Sequence, residues 1–129
     1  MEYPAAVDRH FSQPCNVGPL AAGALPLHRG EAGSAAAGAW VVFDAEIGGE
    51  SVRRLGFQAF GCPYLIAACS RATELLTGAP VTALSRFDPG SLAMELKLPA
   101  EKLGSLLILQ DALRNCFRDW DTTQPAGAR

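Results

Sequence analysis

The chain has 129 residues, 49% of them hydrophobic, enough for one domain with a real core and short for two. Eleven basic against 13 acidic residues leave a net charge of −2, so no single-sign field points to nucleic acid or an anionic membrane. No apolar run approaches the ~18 residues of a membrane span, and MEYPAAVDRH lacks the basic and apolar regions of a secretory signal. The sequence reads as cytoplasmic, and in a reducing compartment Cys15, Cys62, Cys69 and Cys116 are expected to be thiols.

Residues 1 to about 12 are predicted to form a short helix that Pro14, Asn16, Gly18 and Pro19 end. From 13 to 39 the chain is rich in Gly and Ala, offers few large side chains to bury, and is expected to be mobile, with at most a weak strand near Ala24 to His28. At Trp40 an alternation begins: Val41, Phe43, Ala45 and Ile47 fall on one side, Asp44 and Glu46 on the other. Gly48-Gly49 then predicts a tight hairpin into a returning antiparallel strand carrying Leu55, Phe57 and Ala59.

After Pro63, Leu65, Ala68 or Cys69, Ala72 and Leu75 or Leu76 recur at helical spacing until Gly78 and Pro80. Short helical pieces are expected over Val81 to Arg86 and Pro89 to Glu95. A last long helix is expected from Leu98-Pro99 to about Trp120, with Leu103, Leu106, Leu107, Leu113, Phe117 and Trp120 as its apolar stripe. The chain therefore reads as one domain over 1–120 with a disordered tail over 121–129. A hairpin, with room for a third strand, followed by helices and no βαβ alternation argues an α+β fold: a small antiparallel sheet with helices packed on one face.

The stretch FQAFGCPYLIAACSRATELLTG carries the chemistry. Cys62 precedes Pro63, which suits the first helical position, so the thiol is predicted at a helix N-cap, where free N–H groups and the helix dipole favour a thiolate. A plain capping residue at a buried turn explains the same pattern. Cys69 and Cys116 fall on apolar helix faces and read as core, and Cys15, in a Pro-Cys-Asn loop, reads as an incidental exposed thiol. Only His10 and His28 could assist a nucleophile, both in the weakly structured first third, which argues against a cysteine–histidine enzyme.

Together these residues resemble a known family, the IscU/NifU-type scaffolds on which iron–sulfur clusters are assembled. His10-Phe11-Ser12-Gln13-Pro14-Cys15-Asn16-Val17-Gly18 is similar to the family opening HFENPRNVG. Phe60-Gly61-Cys62, with Ile66-Ala67 and Thr73-Glu74, is similar to FGCGSAIASSSLATE. Leu98-Pro99-Ala100-Glu101-Lys102 resembles LPPVK, through which some members are recognised by a dedicated chaperone, and Gln110-Asp111-Ala112 resembles the EDA that follows. The resemblance implies a small antiparallel sheet with a cluster site at one end, and partner contacts at Leu98, Pro99 and Lys102.

It also implies a depleted site. The family's first cysteine and aspartate, in GAPACGD, fall on Ala37 and Ala39, and its histidine and last cysteine, in KLHCS, fall on Gly104 and Ser105, leaving Cys62 as the only inherited ligand. Alanine and glycine offer no donor and a serine hydroxyl is a poor one, so an iron–sulfur cluster or zinc is not expected to be held tightly by this chain alone. Two readings follow. One is a non-enzymic, degenerate scaffold that handles metal or sulfur through Cys62 with a cysteine desulfurase or chaperone. The other is a ligand-free module that keeps the fold and docks on such a partner or on its own copy.

Overall fold

The computed structural model describes residues 3–21 and 23–125. Helix α1 (Ala5–Ser12) leads to strands β1 (Leu27–Ser34), β2 (Ala39–Gly48) and β3 (Ser51–Phe60), then α2 (Pro63–Leu76), α3 (Pro89–Leu96) and α4 (Leu103–Asp121). Single 3₁₀ turns, Val81–Leu84 and Ala100–Lys102, precede α3 and α4. The sheet is antiparallel in the order β1-β2-β3, as the α+β reading requires, and the third strand is real.

The β2–β3 hairpin forms because alternation puts Val41, Phe43, Ala45 and Ile47 into one core with Leu55 and Phe57. Its turn is closed by Gly48 opposite Ser51, and of the two glycines only Gly49 takes a positive φ, 63°. Onto this face pack α2, through Leu65, Ala68, Cys69, Ala72 and Leu76, and α4, through Leu106, Leu109, Leu113 and Cys116. Leu103 and Leu107, expected in that stripe, are 44% and 47% exposed. The 3-4-3 spacing from Leu106 to Cys116 sets the rotation of α4 and turns the 103/107 edge to solvent.

β1 occupies eight residues of the segment expected to be mobile. Its Gly30 lies directly under α4, where an added Cβ would strike the Ala112 carbonyl and the Cys116 amide. Strand and helix therefore approach more closely than any side chain would allow.

The outer face of the sheet is covered as well. Gly18 N–H donates to the Phe57 carbonyl at 2.7 Å and Phe57 N–H to Asn16 at 3.0 Å, tying the chain to the β3 edge. Residues 18–21 and 23–25 then lie across the sheet: Leu20 sits over Gly56, Arg54 donates to the Ala21 carbonyl at 3.0 Å, and Leu25 reaches Gly48. Asp44, expected to be wet, is consequently 3% exposed, and its carboxylate is paired with Arg29 at 2.8 and 3.2 Å. The expected tail begins at the last residue of α4, and its residues 126–129 lie outside the described ones.

Candidate functional site

Cys62 is the N-cap of α2 in extended conformation (φ −76°, ψ 165°), with Pro63 opening the helix. Its carbonyl accepts from Leu65 and Ile66 N–H at 3.0 and 3.2 Å, but its thiol makes no capping hydrogen bond. The half-buried sulfur is therefore not used by the cap. Arg71 does not serve it either, being held by Glu95 at 2.6 Å and Glu74 at 3.3 Å.

Ala37 lies in the exposed β1–β2 turn, donating its N–H to Ser34 Oγ at 3.0 Å, and Ala39 opens β2 and is buried. Gly104 and Ser105 stand in the first turn of α4, with open space where a Cβ on Gly104 would project. A Cβ on Gly61 would sit 3.7 Å from the Gly38 carbonyl, and Lys102 Nζ lies 5.8 Å from the Tyr64 ring centroid. The β1–β2 turn, the start of α2 and the approach to α4 thus meet at one end of the sheet. Leu98 packs on the core and Pro99 begins the 3₁₀ turn that leads to Lys102.

A second constellation joins residues the sequence reading kept apart. His10, Cys15 and Glu74 each offer one ligand atom, all within 4.8 Å of one another. His10 is buried on α1, with Nδ1 2.7 Å from Ser70 Oγ and Nε2 3.2 Å from Glu74 Oε1 and 2.9 Å from Arg9. Cys15 is fixed through its N–H, which donates to the same Ser70 Oγ at 2.8 Å, and Asn16 donates to Thr73 Oγ1 at 3.0 Å. Ser70 and Glu74 are four apart on α2, so they share a helix face.

Burial pushes the His10 imidazole below its ordinary 6.5; Glu74 opposes this and Arg9 and Arg71 add to it, which leaves the ring neutral near pH 7. Burial pushes Glu74 the other way, but the Cys15 thiol, Arg71 and His10 outweigh it and hold the carboxyl below 4.5. Cys15 is thus partly covered and engaged rather than incidental. One signal for it was on the surface of the sequence: a cysteine stands where the family opening HFENPRNVG carries arginine.

Residues 2–126 match the family described as NifU-like N terminal domain. The chain belongs to that family. It is 31% identical over 121 residues to the iron-sulfur cluster assembly scaffold protein IscU of Rickettsia prowazekii, covering 93% of this chain and 92% of that one. It is 28% identical over 118 residues to the iron-sulfur cluster assembly protein IscU of Plasmodium falciparum, covering 92% and 73%. The NifU-like N-terminal structure from Brucella abortus superposes with a TM-score of 0.70 at 15% identity, over 93% and 94% of the two chains. A putative SUF-system scaffold from Fervidobacterium islandicum gives 0.67 at 14% identity, over 89% and 96%, and both likenesses show the fold.

For a NifU-like domain the donor set at the Cys62 end is sparse. Of the five positions that the resemblance assigns to ligands, Cys62 has a thiol, Ser105 a hydroxyl, and Ala37, Ala39 and Gly104 nothing. A cavity of about 350 Å³, lined by Val81, Thr82, Phe117 and Trp120 among others, lies at the far end of α4. Among the described residues, no helix is long and apolar enough to cross a membrane.

Proposed function

We propose that this chain acts in iron–sulfur cluster assembly as an IscU-like protein that handles sulfur or iron at Cys62 with donors supplied by a partner, instead of holding a cluster alone. The observation that carries this is a half-buried thiol free of any capping bond, at the sheet end where the other four assigned positions offer one hydroxyl and no stronger donor. The scaffold names of its relatives support the process and a non-enzymic role. Phe60, Leu103 and Leu107, exposed beside Cys62 and Gly104, offer apolar area for a cysteine desulfurase, and Leu98, Pro99 and Lys102 a neighbouring surface for a chaperone. A cytoplasmic setting completes the reading.

The sulfur step is a simple exchange. The Cys62 thiolate attacks the outer sulfur of a desulfurase persulfide, the S–S bond breaks, and the desulfurase leaves as thiolate while Cys62 carries the persulfide. Protein isolated without oxygen and incubated with a cysteine desulfurase and cysteine should gain one sulfur at Cys62 by mass, and Cys62→Ser should gain none. Finding no sulfur or iron that depends on Cys62 would defeat the reading.

The same exposed apolar residues favour a second reading, a ligand-free docking module that binds a desulfurase, a chaperone or its own copy. In that case the persulfide is absent, and binding to the desulfurase survives in Cys62→Ser and fails in Leu107→Glu.

A further inference from the structure

His10 from α1, Cys15 from the loop after it and Glu74 from α2 direct a nitrogen, a sulfur and an oxygen at one point. In a catalytic relay the carboxylate would hold the histidine nitrogen remote from the thiol. Here Glu74 faces Nε2 and lies within 4.8 Å of the Cys15 sulfur, while the remote nitrogen, Nδ1, is taken by Ser70 Oγ. That is the arrangement of a ligating histidine, whose second nitrogen is fixed by an outer partner so that the first presents its lone pair.

Nε2 and the Glu74 oxygen, 3.2 Å apart, are both acceptors in that tautomer; the Arg9 guanidinium donates to Nε2 at 2.9 Å and the Arg71 guanidinium to Glu74 at 3.3 Å. Arg9 is exposed and can swing away. The frame behind the three groups is rigid: Ser70, fully buried, receives both His10 and the Cys15 amide, and Asn16 is tied to Thr73.

We propose that His10 Nε2, Cys15 Sγ and a Glu74 carboxylate oxygen form a zinc site distinct from the Cys62 end. Zinc takes nitrogen, sulfur and oxygen ligands tetrahedrally at ~2.0–2.3 Å, which puts ligand atoms ~3.3–3.8 Å apart. The 4.8 Å limit of the present cluster needs contraction of about 1 Å, within reach of the Cys15 and Glu74 rotamers. Cys15 gives its thiol proton to solvent on binding, and a water takes the fourth position on the open Glu74 side.

The test is titration of the reduced, metal-free full chain with Co²⁺ without oxygen, followed by Zn²⁺. One equivalent of Co²⁺ should give a thiolate charge-transfer band with strong tetrahedral visible absorption, and Zn²⁺ should erase both. Cys15→Ser should lose the charge-transfer band and bind Zn²⁺ at least tenfold more weakly; Glu74→Gln, which keeps the thiolate, should also bind Zn²⁺ at least tenfold more weakly, because ligand losses exceed the ~10–100-fold cost of outer-partner changes. Cys62→Ser should leave band and affinity unchanged, so failure here is separable from failure of sulfur transfer at Cys62. No band in the parent chain overturns the inference. So does full Zn²⁺ affinity in a folded Cys15→Ser or Glu74→Gln chain, or binding that vanishes in Cys62→Ser.

Discussion

The two ends of α2 make opposite use of the same side-chain chemistry. At its start, Cys62 has a sulfur with no bonded partner and neighbours at Ala37, Ala39 and Gly104 that carry no donor atoms. Three turns along, Ser70, Thr73 and Glu74 gather His10, Cys15 and Asn16 into one hydrogen-bonded group. The first end is open and ready to meet another molecule, the second is preassembled. The FGC segment thus places a lone thiol with few donor side chains near it, whereas the HFSQPC segment carries a cysteine where the family opening HFENPRNVG has arginine.

The contrast presumes one rigid frame, and the largest predicted effect breaks that frame. Gly30→Ala should drive α4 off β1, because the added methyl meets helix backbone that cannot rotate away; a loss of about 3 kcal/mol or more is expected in urea unfolding. Next, Ser70→Ala should cost ~1–3 kcal/mol by leaving His10 and the Cys15 amide short of a buried acceptor. Cys62→Ala should cost less than ~1 kcal/mol, because its half-buried thiol caps nothing. Equal costs for the two would erase the distinction between a preassembled and an open end.

Thiol labelling sharpens it further. Near neutral pH an alkylating reagent should modify Cys15 and Cys62 and spare Cys69 and Cys116, both fully buried. Burial pushes Cys116 up to about 12, helped by Asp119 and Asp44, and pushes Cys69 higher still. Mass spectrometry of the native protein should count two adducts, and added Zn²⁺ should protect Cys15 alone.

The smallest effect concerns acid. The Arg71 hydrogen bonds hold Glu95 below its ordinary 4.5. A carboxyl lowered on folding adds stability that is complete above 4.5 and is lost as pH falls through its folded value. With Glu95 43% exposed, the loss is screened to about 0.5 kcal/mol. Glu95→Gln should flatten that part of the pH–stability curve, seen as a smaller shift in Tm between pH 5 and pH 3.

Much of this was legible in the sequence. The period-two pattern of Val41 to Ile47, the Gly48-Gly49 turn and Pro63 after Cys62 gave the hairpin and α2, because local geometry and burial agree there. β1 was legible only in part: a weak strand was expected near Ala24 to His28, and the element runs over Leu27–Ser34, where LHRGEAGS contains one large aliphatic residue. Its core-facing positions are His28 and Gly30, and it is a strand because β2 pairs with it and α4 presses on the glycine. Asp44 was placed on the side away from the core, and alternation cannot reveal that residues 18–21 and 23–25 return across that face and help bury it. The place of Cys62 at the start of α2 could be read from the Pro63 that follows it. The group around Ser70 could not, because His10 and Glu74 are 64 positions apart and only the packing of α1 on α2 joins them.

The Asn16–Gly18 crossing has a consequence for assembly. By filling hydrogen-bonding positions along β3, it denies that border to an incoming chain, so ribbon-like growth of the sheet is restricted to the β1 side. There, outward Arg29 and Glu31 place charge along the rim, and Asn115 already occupies the Glu31 carbonyl at 2.9 Å. Self-association of this molecule should therefore proceed through side-chain surfaces and not by stitching backbones together.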